Sequence, residues 1–135
     1  MNTTIECNVV ILPSEPLAAK AMSVSTELSK QGALFTLETG KFYPHASVYM
    51  LKLKVEDLEA VKTQLAKIAS ETPVLNLKAT KYNQSRGYLD AEYQKPEQLD
   101  ILQLRVVAAL NPLRSGMRDN DIARLPDATG LALEN

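Results

Sequence analysis

A chain of 135 residues with 15 Lys and Arg, 16 Asp and Glu, one His and no Trp has room for one domain. Its net charge of −1 argues against a broad electrostatic grip on nucleic-acid phosphates but leaves room for a small, local phosphate site. With Cys7 alone no internal disulfide can form, and any zinc site would rest on carboxylates, so a reducing, cytoplasmic setting fits best.

The first residues, Met1 to Cys7, lack a basic n-region, and the apolar run Val9–Leu12 is too short for a signal peptide or a membrane span. Ile5 to Leu12 reads as a buried strand closed by Pro13 and Pro16. Pro16 suits the first turn of a helix, where its missing N–H is not needed. Leu17, Ala21, Val24 and Leu28 then recur at helical spacing up to Gly32, which predicts a helix over 16–31. Leu34–Thr39 and Phe42–Leu53, with Gly40-Lys41 between them, read as two strands joined by a turn.

Glu56 and Asp57 open a helix over 55–70, their charges favouring the positive end of its dipole; Leu58, Val61, Leu65 and Ile68 line its apolar face. Val74–Tyr82 and Gly87–Tyr93 read as strands around the turn Asn83-Gln-Ser-Arg-Gly87. Pro96 starts a third helix, carrying Leu99, Leu102, Val106 and Leu110 on one face and ended by Asn111-Pro112. From Leu113 onward the pattern fails, leaving loop with at most a short helix. The order β-α-β-β-α-β-β-α contains a split βαβ arrangement. It predicts an α+β fold, an antiparallel sheet with helices on one face. The expected organisation is one domain over 1–114, with 115–135 as its irregular C-terminal segment.

His45 is the only histidine, in Phe42-Tyr-Pro-His-Ala-Ser-Val-Tyr-Met50. On a strand alternate residues share a face, so Tyr43, His45, Ser47 and Tyr49 point one way and Pro44, Ala46, Val48 and Met50 the other. The second set is apolar and belongs on the core. The first sets an imidazole among hydroxyls: the ring can move a proton, and a hydroxyl two residues away can hold a phosphate or carboxylate oxygen. A polar strand face is also what any half-exposed antiparallel sheet presents.

The segment Pro44-His-Ala-Ser-Val48, preceded by strand and helix and followed by an amphipathic helix, resembles the first half of the two-histidine (2H) phosphoesterases. That superfamily includes the 2′-5′ RNA ligase-like proteins and cyclic nucleotide phosphodiesterases. Gly87-Tyr-Leu-Asp-Ala-Glu92, Pro96-Glu-Gln-Leu99 and Leu110-Asn-Pro-Leu-Arg114 resemble its middle hairpin and following helix, so the likeness runs over roughly residues 7–125. The resemblance implies paired His-x-Ser/Thr motifs across a cleft, with one His as general base, the other as general acid, and the hydroxyls on the phosphate. His45 and Ser47 match the first motif; no second His exists to match the other. The implied ligand is a 2′,3′-cyclic phosphate or a 2′-5′-linked nucleotide or RNA end, with no cofactor and no metal. One imidazole cannot readily serve both oxygens of an in-line displacement, so the expectation is self-association or completion by a further segment.

Other residues carry weaker signals. Tyr43 and Tyr49 could contact the ligand, though tyrosines on a sheet face more often pack. Lys81 and Arg86 flank a turn that is usually solvated, and Arg114 after a helix end can cap carbonyls. Cys7 reads as a small hydrophobe. Glu6, Asp90 and Glu92 are too scattered for a carboxylate pair or a metal, and Ser85-Arg86-Gly87 lacks a phosphate-loop pattern. Three functions therefore compete: a 2H-type phosphodiesterase, a relative that binds a nucleotide without turnover, and an α+β interaction module.

Overall fold

The computed structural model describes residues 3–85 and 88–123. The elements run β1 (Thr4–Ile11), α1 (Glu15–Ser29), β2 (Ala46–Lys54), α2 (Leu58–Ser70), β3 (Ala79–Ser85), β4 (Tyr88–Tyr93), α3 (Glu97–Leu110) and α4 (Asp119–Ala123), with short 3-10 turns before α2 and after α3. This is an α+β protein with antiparallel strands. Among the described residues the strands pair as two ribbons, β1 with β2 and β3 with β4, where a single sheet was expected. No helix among the described residues is long and apolar enough to cross a membrane. The chain divides into two compact units, Asn8–Met50 and Met1–Cys7 with Leu51–Asn135.

In the Asn8–Met50 unit, α1 carries Pro16 in its first turn and opens with Ala18 N–H bonded to the Ser14 carbonyl at 2.9 Å. Gly32, at φ 92°, takes the left-handed conformation that turns the chain out of the helix. The helix buries Ala18 and Ser25. The Ser25 hydroxyl accepts the Leu37 N–H at 2.9 Å, which fastens the following loop back onto the helix.

That bond explains a correction. Leu34–Thr39 is not a strand: Leu37 spends its N–H on a side chain, Leu34 is exposed, and the expected hairpin shrinks to one Glu38–Phe42 bridge. Gly40, at φ 85°, makes the turn, and the Phe35 and Phe42 rings meet in a tilted contact with centroids 5.3 Å apart. Pro44 has no N–H to offer a ladder, so the second strand starts at Ala46 and not at Phe42.

In the larger unit the buried residues are Leu51 and Leu53 of β2, Val61 and Ile68 of α2, and Val106 and Leu110 of α3. The spacings i, i+7 and i, i+4 place each helical pair on one face, and α2 packs on α3. Arg105 of α3 pairs with Glu71 at the end of α2. Strand β1 reaches this unit at its N-terminal end, where the Thr3 carbonyl accepts the Val55 N–H at 2.9 Å.

The third strand also departs from expectation. It begins at Ala79, not Val74, because a ladder needs a partner and β4 runs into Pro96. The last rung is Gln94 N–H to the Lys78 carbonyl at 2.8 Å, and residues 74–77 belong to no strand. Past α3 the chain adds to the far edge of β2: Arg114 bridges Leu53 antiparallel, and Ser115 N–H bonds to the Lys52 carbonyl at 2.7 Å. The short helix expected in this segment is α4. Glu6 accepts the Asp119 N–H at 3.1 Å, Lys52 pairs with Asp119 at 3.2 Å, and Arg118 clasps Asp121 through two nitrogens at 2.7 and 2.6 Å. The Asp121 hydrogen bonds hold the Arg118 pKa above its ordinary value, against the opposing pull of burial.

Candidate functional site

His45 lies in the residues of no regular structure just ahead of β2, and Ser47 is the second residue of that strand. Both side chains are exposed, while Tyr43 and Tyr49 are half-buried. All four belong to the Asn8–Met50 unit.

The expected division of faces holds only at its centre. Val48 is buried, but Ala46 is exposed and Met50 is 41% exposed, so these three do not form a continuous core face. Beyond Met50 the buried positions are Leu51 and Leu53, on the opposite parity. The cause is in the sequence itself. The strand's bulky aliphatics sit at an even position early and at odd positions late, and burial follows the side chains that gain most from leaving water.

His45 Nδ1 lies 2.8 Å from the Tyr43 carbonyl oxygen. A carbonyl can only accept, so Nδ1 carries the hydrogen, and in the neutral ring Nε2 keeps its lone pair. Such a bond also fixes the orientation of the ring, as second partners of functional histidines do. Tyr43 thus contributes its backbone carbonyl.

The Ser47 hydroxyl oxygen accepts a hydrogen bond from Asn8 Nδ2 at 2.9 Å. With its oxygen held by a donor, the Ser47 O–H remains directed to a further acceptor. Asn8, on β1, is a site residue that sequence reasoning missed. Its one signal was a carboxamide standing between Cys7 and Val9 in an otherwise apolar run. The polar atoms of His45 and Ser47 are thus engaged by different partners, Tyr43 and Asn8.

Lys81 pairs with Glu92 across the β3–β4 ribbon at 3.6 Å. Arg114 continues the edge of β2, Glu6 holds α4, and Cys7 is half-buried on β1. Arg86 and Gly87 lie outside the described residues. Among the described residues no three His, Cys, Asp or Glu side chains gather as a metal site. An open groove of about 450 Å³ is lined by Asn76, Lys78, Gln94, Lys95 and Pro96, and includes none of the nominated residues. Comparison of the chain with family models, curated proteins and solved structures gives no match.

Proposed function

We propose that this is a 2H phosphoesterase-like protein that holds the phosphate of a 2′,3′-cyclic nucleotide or a 2′-5′-linked RNA end at His45 and Ser47. The observation that supports this reading is the bond from His45 Nδ1 to the Tyr43 carbonyl, which leaves Nε2 as the exposed, proton-accepting nitrogen. In that role Nε2 takes the proton of an attacking hydroxyl or water, while the Ser47 O–H donates to a non-bridging phosphate oxygen. Asn8 keeps the serine oxygen oriented. Departure of the other oxygen needs a separate acid, and the chain has one histidine. The chain alone therefore binds such a ligand and turns it over feebly. Its single, half-buried Cys7 suits a reducing compartment such as the cytoplasm.

Titration calorimetry with a 2′,3′-cyclic nucleotide, paired with phosphorus NMR of the mixture, tests this. Binding is expected with little hydrolysis; Ser47→Ala weakens it roughly tenfold through one lost charge-assisted hydrogen bond. His45→Ala abolishes whatever hydrolysis is detected, since one acid–base group supplies about 10²–10⁴-fold. Absence of binding at millimolar ligand, or hydrolysis indifferent to His45→Ala, overturns the proposal and leaves the interaction module as the better reading.

A further inference from the structure

Phe35 and Phe42 are the only phenylalanines of the chain, and both lie on the loop that joins α1 to β2, 47% and 44% exposed. Phenylalanine is among the side chains most often found inside a protein. Apolar residues scattered singly over a surface are ordinary, but these two touch, with ring planes inclined at 46° and centroids 5.3 Å apart. Nearly half of each residue still faces solvent.

The backbone beneath the pair is tied down. The Ser25 hydroxyl holds the Leu37 N–H at 2.9 Å, and the Glu38 N–H bonds to the Phe42 carbonyl at 3.1 Å around the Gly40 turn. A surface ordered before its ligand arrives loses less freedom on binding. Phe42 stands three residues before His45, and all these residues belong to the Asn8–Met50 unit. Three residues of chain reach at most about 11 Å, a span that a nucleotide with its phosphate at one end and its base at the other bridges. Lys41 Nζ lies 5.4 Å from the Phe42 ring centroid and 3.8 Å from a Glu38 carboxylate oxygen. An exposed ammonium gains less from an aromatic ring than a stacked base does. An arriving base therefore displaces Lys41, which keeps Glu38 as its partner.

We infer that Phe35 and Phe42 form the stacking platform for the base of the nucleotide whose phosphate is held at His45 and Ser47. This rests on the proposed phosphate site and adds what selects the ligand: a flat aromatic base, as opposed to a phosphorylated sugar or peptide. Stacking reads no hydrogen-bond pattern, so the platform accepts every base.

Calorimetry on the full chain compares 2′,3′-cyclic AMP with the 2′,3′-cyclic phosphate of methyl riboside, which has the phosphate and no base. Phe42→Leu keeps an apolar side chain but removes the ring. Cyclic AMP is expected to bind this variant roughly tenfold more weakly than wild type, while the base-free ligand binds both alike. The chain has no Trp, so Phe42→Trp supplies a unique fluorophore. Its emission should be quenched by cyclic AMP and unchanged by the base-free ligand, which keeps the test open if the leucine variant loses its loop. Equal affinity of cyclic AMP for wild type and Phe42→Leu overturns the inference and leaves the phosphate site standing. Failure of both cyclic AMP and adenosine to quench Phe42→Trp overturns it as well, whatever the base-free ligand does. Weaker binding to Phe42→Leu, with His45→Ala and Ser47→Ala both without effect, supports the platform and removes the phosphate assignment.

Discussion

Asn8 governs how Ser47 can be used. As a donor to the Ser47 oxygen, its carboxamide leaves the hydroxyl proton for a ligand. Asn8→Asp reverses the polarity of that contact: a carboxylate would claim the Ser47 proton and set a negative charge near any bound phosphate. Asn8→Ala merely removes the orienting bond. The expected order of affinity for a cyclic nucleotide is wild type, then Asn8→Ala, then Asn8→Asp, the last lower than wild type by roughly tenfold or more. Calorimetry reads this directly, and an Asn8→Asp protein that binds as well as wild type separates Ser47 from phosphate recognition. Asn8 illustrates what residue-level reading of a sequence misses. His45 and Ser47 stand out because they are two apart in the sequence, whereas Asn8 reaches Ser47 from 39 positions away.

At the scale of elements, β2 carries the most information, because its buried parity changes along its length. Leu53 is 0% exposed, whereas Met50, which strand alternation assigned to the core, is 41% exposed. Leu53→Ala should lower unfolding stability by about 2–5 kcal/mol, the usual cost of a buried leucine truncation, and Met50→Ala by less than about 1 kcal/mol. Urea melts of the two variants make the comparison, and equal losses would restore the simple alternating strand. Ser115→Pro removes the N–H that extends β2 through the Lys52 carbonyl, and should cost about 1 kcal/mol or more.

The helices were legible in the sequence, because Pro16 and Pro96 mark their starts and periodic aliphatics define a face. Strand extents were not. Whether Leu37 joins a ladder depends on Ser25, twelve residues earlier, and whether Val74 does depends on Pro96, which ends the strand that would face it. Both are decisions made by partners outside the local pattern.

For the molecule as a whole, the two units differ in what holds them. The larger one buries Leu51, Leu53, Val61, Ile68, Val106 and Leu110, each a full-sized aliphatic side chain worth about 1.5–3 kcal/mol on transfer from water. The Asn8–Met50 unit buries Ala18, Val48 and the hydroxyl of Ser25. Ala18 has little side chain to transfer, and Ser25 is stabilised by its bond to Leu37 and not by leaving water. A chain segment this short is near the lower limit for folding on its own core, and a helix of 15 residues is marginal without tertiary support. Unfolding should therefore occur in two tiers. In native-state hydrogen exchange, amides of α2 and α3 are expected to open only with global unfolding, while those of α1 open at free energies lower by at least about 2 kcal/mol. The proposed ligand contacts, His45, Ser47 and Asn8, all belong to the less stable tier, so a bound cyclic nucleotide should slow exchange in α1 and leave α3 unchanged. Equal protection of α1 and α3 in the free protein contradicts the two-tier account, and ligand protection confined to α3 contradicts the placement of the site.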